Sequence, residues 1–371
     1  MAVACAALVA AGTPLGAAPT ASSSRDLSSP HFTLTTAARY DDNLFLADSN
    51  ATSDTIVSAA PGAAWHWGDP ATAYVALDAQ ENFVRYLRHS IFNDSLAAVQ
   101  LSTGVSGTRT QVDFSGGFDQ TRGNTRDLRG STNLARHDHT TGNFAASYQL
   151  APKTSVHTGL LWDDDRFQTG GFYSTREVAY PLTLAYALSP KMHLNANYRY
   201  RDVQVAAPGS DFVDHVLGFS ADGEFASKLT GRVGTNWIRH DESLSAPANF
   251  LGFDGALTWA ASSKLAWTAT ASREFRPSPG TGLDYASTQF GLQNSWSLAE
   301  FWSTQADVRY EIATYGAGRR DRLVTSVLTL KYAPSTIATF SFAYILEHNL
   351  SSFAFIDYNR NALSVSATLH Y

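Results

Sequence analysis

The sequence has few charged residues, no long apolar run and a single cysteine. Only 16% of its 371 residues are charged, against roughly 25% in an ordinary soluble chain. No internal run of about 18 apolar residues is present, which excludes a membrane protein built from helices. The single cysteine, Cys5, excludes a disulfide framework and a thiolate metal site. If this chain spans a bilayer, it must therefore do so as strands.

Other absences bear on function. The net charge of -6 is not that of a non-specific nucleic-acid binder, so no nucleic-acid partner is expected. The sequence has no Gly-x-Ser-x-Gly, no phosphate-binding glycine loop and no His-Glu-x-x-His. We therefore predict neither catalysis nor a cofactor. An outer-membrane enzyme assembled from scattered Asp, His and Ser residues is the least favoured alternative.

The chain divides into three parts. Residues 1–18 are uncharged, rich in Ala, Val and Leu, and end in Gly16-Ala17-Ala18, which predicts a cleaved signal peptide. Residues 19–31 form a predicted N-terminal periplasmic segment. Residues 32–371 alternate apolar and polar side chains with a period of two, as strands with two different faces do.

The alternation is clearest in two segments. Leu363, Val365, Ala367, Leu369 and Tyr371 share one face of the last segment, opposite Ser364, Ser366, Thr368 and His370. The same pattern places Met192, Leu194, Ala196, Tyr198 and Tyr200 opposite His193, Asn195, Asn197, Arg199 and Arg201. Each segment therefore predicts a strand with one apolar face.

Short turn signals recur about every 37 residues, close to the length of one membrane-spanning hairpin. They lie at 68–70, 106–108, 151–153, 189–191, 226–228, 261–264, 299–300 and 333–335. Nine hairpins then account for residues 32–371. We predict an all-β fold, a transmembrane antiparallel up-and-down β-barrel of about 18 strands, with both chain termini on the periplasmic side.

The connections between the short turns are longer and more polar, and we expect them to be extracellular loops. The longest, from Gln120 to Asp138, carries Arg122, Arg126, Arg129 and Arg136, and only this loop is expected to be large enough to fold inward as a constriction. Aromatic residues gather near both ends of the strands, as in the interfacial girdles of membrane barrels. Those near the short turns are Trp65, Trp67, Trp296, Phe301, Trp302, Tyr332 and Tyr371; those near the loops are Tyr40, Phe118, Trp162, Tyr200, Trp237, Phe275 and Tyr310.

Soluble β-folds are the structural alternatives. A β-sandwich also alternates, but it has no reason to place aromatic residues at both ends of its strands. A propeller should repeat every four strands rather than every two. The membrane barrel therefore fits best.

The opening of the barrel region resembles a known family. Residues 40–45 (Tyr-Asp-Asp-Asn-Leu-Phe), followed by Ser53-Asp54-Thr55-Ile56-Val57 and Pro61-Gly62, resemble the start of the putative β-barrel porin 2 family. The ending is similar to that of outer-membrane barrels in general, whose terminal aromatic residue is read by the barrel-assembly machinery. The resemblance implies a porin-like barrel, in some cases linked to exopolysaccharide machinery, and no catalytic residues.

Candidate site residues follow from the predicted faces. A polar residue that faces lipid costs free energy, so the charged members of the polar faces should line the lumen and influence ion preference. These are Arg199, Arg201, Arg232, Glu274, Asp307, Arg309 and Lys331. The predicted assembly signal is Leu363, Val365, Leu369 and Tyr371.

Two weaker signals concern metal ions. His137 and His139 would share one face of a strand and could bind a divalent metal, although a polar rim explains them as well. Asp41, Asp42, Asn43, Asp48 and Asp54 could hold Ca²⁺ near the first loop, but without the spacing of a calcium loop. We therefore predict no metal site.

The function predicted from these features is a porin-like channel of a Gram-negative outer membrane, for diffusion or export of small hydrophilic or saccharide solutes. The alternatives are a barrel component of exopolysaccharide export and a structural or adhesive surface protein. Outer-membrane lipids, lipopolysaccharide and the barrel-assembly machinery are the expected partners.

Overall fold

The structure is a single closed β-sheet with short connections on one side and longer loops on the other. The computed structural model describes residues 30–127, 133–243, 246–316 and 318–371. The predicted signal peptide (1–18) and loop residue Arg129 lie outside these ranges, as does segment 19–31 apart from Pro30 and His31. The strands are β1 (His31–Asp41), β2 (Asp54–Asp69), β3 (Ala73–Tyr86), β4 (Asp94–Ser106), β5 (Thr110–Gly123), β6 (Ala135–Ala151), β7 (Thr154–Phe167), β8 (Thr175–Ser189), β9 (Met192–Val205), β10 (Phe212–Ala226), β11 (Leu229–Glu242), β12 (Ala248–Ala260), β13 (Leu265–Pro277), β14 (Asp284–Ser297), β15 (Trp302–Tyr315), β16 (Arg320–Tyr332), β17 (Ala338–Ser351) and β18 (Tyr358–His370).

Every strand pairs antiparallel with its neighbours in the chain, and β1 also pairs with β18. The closing seam runs from Thr33 opposite His370 to Asp41 opposite Ala362. Beyond the end of the seam that lies on the side of the short turns, Phe32 and Tyr371 exchange two backbone hydrogen bonds, of 3.2 and 2.8 Å. Closure leaves no free sheet edge, which is the condition for strands to cross a bilayer. The prediction of an 18-stranded up-and-down barrel is confirmed.

Helical structure is confined to one short turn, the 3-10 helix Ser90–Phe92 between β3 and β4, within the described ranges. No helix in this part of the chain is long and apolar enough to cross a membrane.

The two faces of the sheet differ as the alternation predicts. Outward-facing Leu194 and Val365 are 45% and 54% exposed, whereas Asn195 on the opposite face is buried. The inward face is identified by contacts across the barrel, such as that between the β5–β6 loop and Glu311 of β15. Outward exposure of large apolar side chains is expected where lipid takes the place of water.

Each predicted turn connects an even-numbered strand to the next strand, from the β2–β3 turn to the β16–β17 turn. The predicted bounds of the longest loop were wrong. β5 continues to Gly123 and β6 begins at Ala135, so the loop between them is 124–134 rather than Gln120 to Asp138.

Aromatic side chains project outward at both ends of the barrel. Trp65, Trp67 and Trp302 are exposed near the short turns, and Tyr40 and Trp237 are exposed near the longer loops. Phe275 is an exception. It contacts His240 and Phe250 on the inner side instead of joining the outer belt.

Leu328 and Thr329 of β16 give a matched test of the two faces. Leu328 is half exposed on the outward face, and Thr329 lies on the inward face opposite Gln305 and Ala343. We predict that Leu328→Arg lowers the free energy of unfolding in lipid by about 2 to 4 kcal/mol, because the charge enters hydrocarbon. Thr329→Arg should cost much less. Equal losses in urea titrations of the two refolded variants would contradict this assignment of faces.

Candidate functional site

The β5–β6 loop crosses the mouth of the barrel at the end that carries the longer loops. Its Arg126 places Nη1 3.1 Å from Oε2 of Glu311 on β15. β15 lies ten strands from β5 in a ring of 18, close to the opposite wall. The neighbouring Asp127 accepts a hydrogen bond from the hydroxyl of Tyr315. This contact confirms that the β5–β6 loop folds inward.

Charge and aromatic contacts fix the far end of the loop. Arg126 is only 5% exposed, donates to Asp127 over 2.8 Å and lies 5.3 Å from the ring centre of Tyr285. Tyr285 in turn stacks on Tyr315 with ring centres 4.9 Å apart. A buried arginine is tolerable only when carboxylates compensate its charge, and here Asp127 and Glu311 do so.

The near end of the loop is held by an apolar cluster. Leu134 is 1% exposed and packs in a cluster with Phe45 of the β1–β2 loop, Tyr86 of β3 and Phe92. The β1–β2 loop therefore also folds inward, with Leu46 fully buried. Our expectation that only one loop was large enough to do so was wrong, because the apolar residues of the first loop bury themselves against the wall.

A third inward element is the top of the β13–β14 hairpin. Its loop accepts backbone hydrogen bonds of 2.8 Å from two other loops, with Tyr173 donating to Pro279 and Ser210 donating to Gly282. It also meets the β5–β6 loop, since a Cβ on Gly280 would lie 2.2 Å from the carbonyl oxygen of Asp127. Only glycine fits this approach. The two hairpins thus touch each other over the lumen.

The converging loops enclose a pocket of about 640 Å³. Its wall combines hydroxyl and amide groups with two aromatic rings and two arginines. The residues are Phe45, Ala47, Asp48, Ser49, Asn50, Thr52, Arg126, Asp127, Ser278, Gly280, Thr281, Arg319, Ala354, Phe355 and Ile356. Oγ of Ser278 is buried and has no hydrogen-bond partner among the described residues. The wall of the pocket therefore contains a polar atom without a hydrogen-bond partner among the described residues.

The seven sequence-predicted lumen residues fall into two groups. Arg199, Arg201 and Glu274 lie together near the mouth, where Arg201 donates to Asp214 and to the carbonyl of Phe275. Arg199 is 3.8 Å from Glu274. Arg201 is only 3% exposed, so its charge is committed to the wall. Arg201 therefore contacts the wall and not a solute in the lumen.

The remaining four lie nearer to the short turns and are more open. Arg232 pairs with Asp254 at 3.3 Å, and Arg309 pairs with Asp307 at 3.0 Å. The side chain of Arg309 is still 52% exposed. Lys331 stands opposite Ser303 and Ser341 and is half-buried.

The two histidines of β6 are bound by wall residues. His139 lies between Asp119 and Asp163, with ring nitrogens 3.1 and 2.9 Å from the carboxylates. His137 contacts Asp165 and Thr121. Within the described ranges, no group of three or more His, Cys, Asp or Glu residues is arranged to hold a metal ion.

The acidic residues near the first loop do not gather around a common point either. Asp41 binds Arg39 and Arg360, while Asp54 accepts hydrogen bonds from the backbone of Arg88 and His89. Their oxygens are used to join β1, β2 and β18 and the adjoining loops. Asp41 and Asp54 are thus already bound by groups of the protein.

The contact of Asp127 with Arg126 and Tyr315 should make the attachment of the β5–β6 loop depend on pH. Burial alone would raise the pKa of Asp127, but the charge and hydrogen bond of Arg126 and the hydroxyl of Tyr315 hold it below its ordinary value. A depressed pKa means that this contact is complete at neutral pH and is lost as the pH falls through the folded-state value, below about pH 4. A nitroxide on Thr125→Cys, an exposed position, should therefore stay immobile from neutral pH to about pH 4 and become mobile below it. Adding Asp127→Asn should make it mobile at neutral pH. Mobilisation near pH 6 in the parent would contradict this origin.

Residues 218–371 match the model of the putative beta-barrel porin 2 family. The matched range does not include the 40–62 stretch on which the resemblance was based. No curated protein matches the chain. The family match and the fold indicate a channel-type barrel rather than an enzyme.

Several solved structures share the fold. The outer membrane protein OpdK of Pseudomonas aeruginosa is 12% identical, with 92% of this chain and 99% of that chain covered and a TM-score of 0.52. OpdO of the same organism is 12% identical, with 93% and 98% covered and a TM-score of 0.54. OccK2 (OpdF), also from that organism, is 10% identical, with 92% and 98% covered and a TM-score of 0.53. Residues 218–371 thus match the family indicated by the resemblance, and the described chain has the fold of these outer-membrane barrels.

Proposed function

We propose that this protein is a channel for the passive diffusion of small hydrophilic solutes, saccharides among them. The observation that carries the proposal is the β5–β6 loop, which narrows the mouth by reaching Glu311 and Tyr315 on the far wall. A loop held across a lumen limits the size of what passes. A barrel that served only as a scaffold would not need a constriction of this kind.

The inward face below the loops leaves room for water. The register places Gly117, Gly234 and Gly291 on this face, next to other small or polar residues such as Ser115 and Ser220. An 18-stranded barrel is wider than side chains can fill, and small residues widen it further. The polar lining therefore surrounds an aqueous space rather than a packed core.

The mouth pocket supports the saccharide part of the proposal. Its volume of about 640 Å³ is within the range of sites for small molecules. Hydroxyl and amide groups on Ser278, Thr281 and Asn50 suit sugar hydroxyls, and the rings of Phe45 and Phe355 suit the apolar faces of sugar rings. The charges of Arg126 and Arg319 are partly balanced by Asp127 and Asp321, so the pocket does not demand a charged solute.

The lumen charges contribute ion preference in this proposal. Arg309 and Lys331 are the residues to consider first, because Arg201 is locked to Asp214. Fixed charges on a narrow low-dielectric wall raise the local concentration of ions of opposite sign.

The last strand also carries the proposed assembly signal. Leu363, Val365, Leu369 and Tyr371 remain our proposed signal for the assembly machinery, since all four project outward at or beyond β18.

Export of an exopolysaccharide is not favoured by any contact that we observe. A polymer would have to displace the β5–β6 loop from Glu311 and Tyr315 on the far wall, where the loop's Arg126 is buried. A small solute needs no such displacement. We therefore place passive diffusion first.

Two tryptophan substitutions test the proposal. Thr281→Trp adds bulk at the exposed edge of the mouth pocket, and we expect it to slow the swelling of proteoliposomes in a disaccharide several-fold more than in a monosaccharide. Gln305→Trp adds the same bulk at an exposed inward position in the wider periplasmic half and should leave both rates unchanged. If neither sugar enters wild-type proteoliposomes, saccharide diffusion is excluded, and equal effects of the two variants would place the constriction elsewhere.

A further inference from the structure

The wall of the barrel is split between β12 and β13 near the extracellular end. The ladder between these strands stops at Phe253 opposite Arg273. Yet β12 stays paired with β11 up to Ala248, and β13 stays paired with β14 up to Pro277. Residues 248–252 and 274–277 therefore face each other without ladder pairing.

The split results from the inward lean of the β13–β14 hairpin. The carbonyl of Phe275 accepts a hydrogen bond of 2.8 Å from Arg201 of β9, four strands away along the wall. Asp284 at the start of β14 lies 3.0 Å from the ring of His240 on β11. These contacts hold the top of the hairpin inside the barrel and away from β12.

The split begins at the level of the outer aromatic belt. Leu251 stands opposite Trp237 in the β11–β12 register, and both point outward with exposures of 64% and 45%. Unpaired backbone groups are costly in the hydrocarbon core and tolerable where headgroups and water reach them. The opening thus faces the headgroup zone of the outer leaflet.

Aromatic rings and one arginine line the opening. Phe250 and Phe275 meet edge to face with ring centres 4.6 Å apart. Arg273 belongs to the outward face, but its guanidinium lies 5.2 Å from the ring centre of Phe250 on the inward face. Its side chain therefore reaches into the split. The ion pairs observed in the described part of the chain do not include Arg273.

A second split, between β4 and β5 on the other side of the barrel, is closed by polar bridges. The β4–β5 ladder stops at Ala98 opposite Asp119. Above it, the amide of Ala97 donates to Oε1 of Gln120 over 3.2 Å, and Arg122 lies 2.8 Å from Asp94. Polar side chains thus replace the missing ladder there. The β12–β13 split has an apolar lining and a cation instead.

We propose that the β12–β13 split is a lateral binding site for an anionic lipid of the outer leaflet. The headgroup would bind Arg273, and an acyl chain would lie against Phe250 and Phe275. A guanidinium with no carboxylate partner matches a phosphate, and adjacent aromatic rings match a hydrocarbon chain. This site does not depend on axial diffusion, so the two proposals can fail separately.

Photo-crosslinking from the inward side tests the site directly. p-Benzoylphenylalanine is placed at position 250 and the barrel is reconstituted in phosphatidylcholine vesicles with a trace of radiolabelled phosphatidylglycerol. We expect labelled lipid on the protein after irradiation, although position 250 points inward. Radiolabelled phosphatidylethanolamine, which is zwitterionic, should give much less. Equal labelling by the two lipids would overturn the assignment of an anionic ligand.

Matched positions on intact seams provide the controls. Val216 lies in the same inward row as Phe250, through Ile238, and Leu323 lies inward on β16. Neither should label when it carries the photoreactive residue, and all variants are first checked for the heat-dependent gel shift of a folded barrel. Labelling at position 250 that is no higher than at these two positions would overturn the proposal.

Arg273 is tested by charge removal. Arg273→Gln should lower labelling at position 250 about tenfold, the factor for losing a charge-assisted hydrogen bond. Arg322→Gln removes an exposed outward arginine from the intact wall at β16 and should leave labelling unchanged. Labelling that persists in Arg273→Gln, or falls equally in both variants, would contradict a headgroup site at Arg273.

Discussion

The pairing of β1 with β18 is the constraint on which the rest of the structure depends. Without it, two strand edges would face lipid with unsatisfied backbone groups, each of which costs several kcal/mol in hydrocarbon. The seam is supported by Phe32 and Tyr371 at one end and by the ion pair of Arg360 with Asp41 near the other. A closed ring of 18 strands in turn fixes which side chains face inward. The polar lumen therefore follows from closure.

Backbone pairing between neighbouring strands is lost where the mouth of the barrel narrows. The β5–β6 and β13–β14 hairpins lean inward and meet at Asp127 and Gly280. Each hairpin separates from the strand before it, at β4 and at β12. Side chains such as Gln120 and Arg201 bind the released backbone groups. Constriction of the lumen and opening of the wall are thus two results of the same tilt.

The fold could be predicted almost completely from the sequence, whereas the site could be predicted only in part. Strand number and faces are local properties, because alternation and turn residues are set within a few positions, as at Leu363 to Tyr371. The meeting of Asp127 with Tyr315 is not local, since 188 residues separate them. Likewise, Arg201 had the pattern of a lumen residue, but its burial depends on the displaced β13. No local signal distinguishes such a locked arginine from the open Arg309.

The central claim is that the lumen conducts despite the loops across its mouth. The most direct measurement is the single-channel current of folded protein in a planar bilayer under a salt gradient. Our account predicts discrete current steps. It also predicts a reversal potential that shifts toward cation preference when Arg309 and Lys331 are both replaced by Glu. The shift should be largest at low salt, because the Debye length of about 30 Å at 0.01 M lets the field of the wall charges reach the axis of the channel. Folded protein that inserts without any current steps would contradict the account.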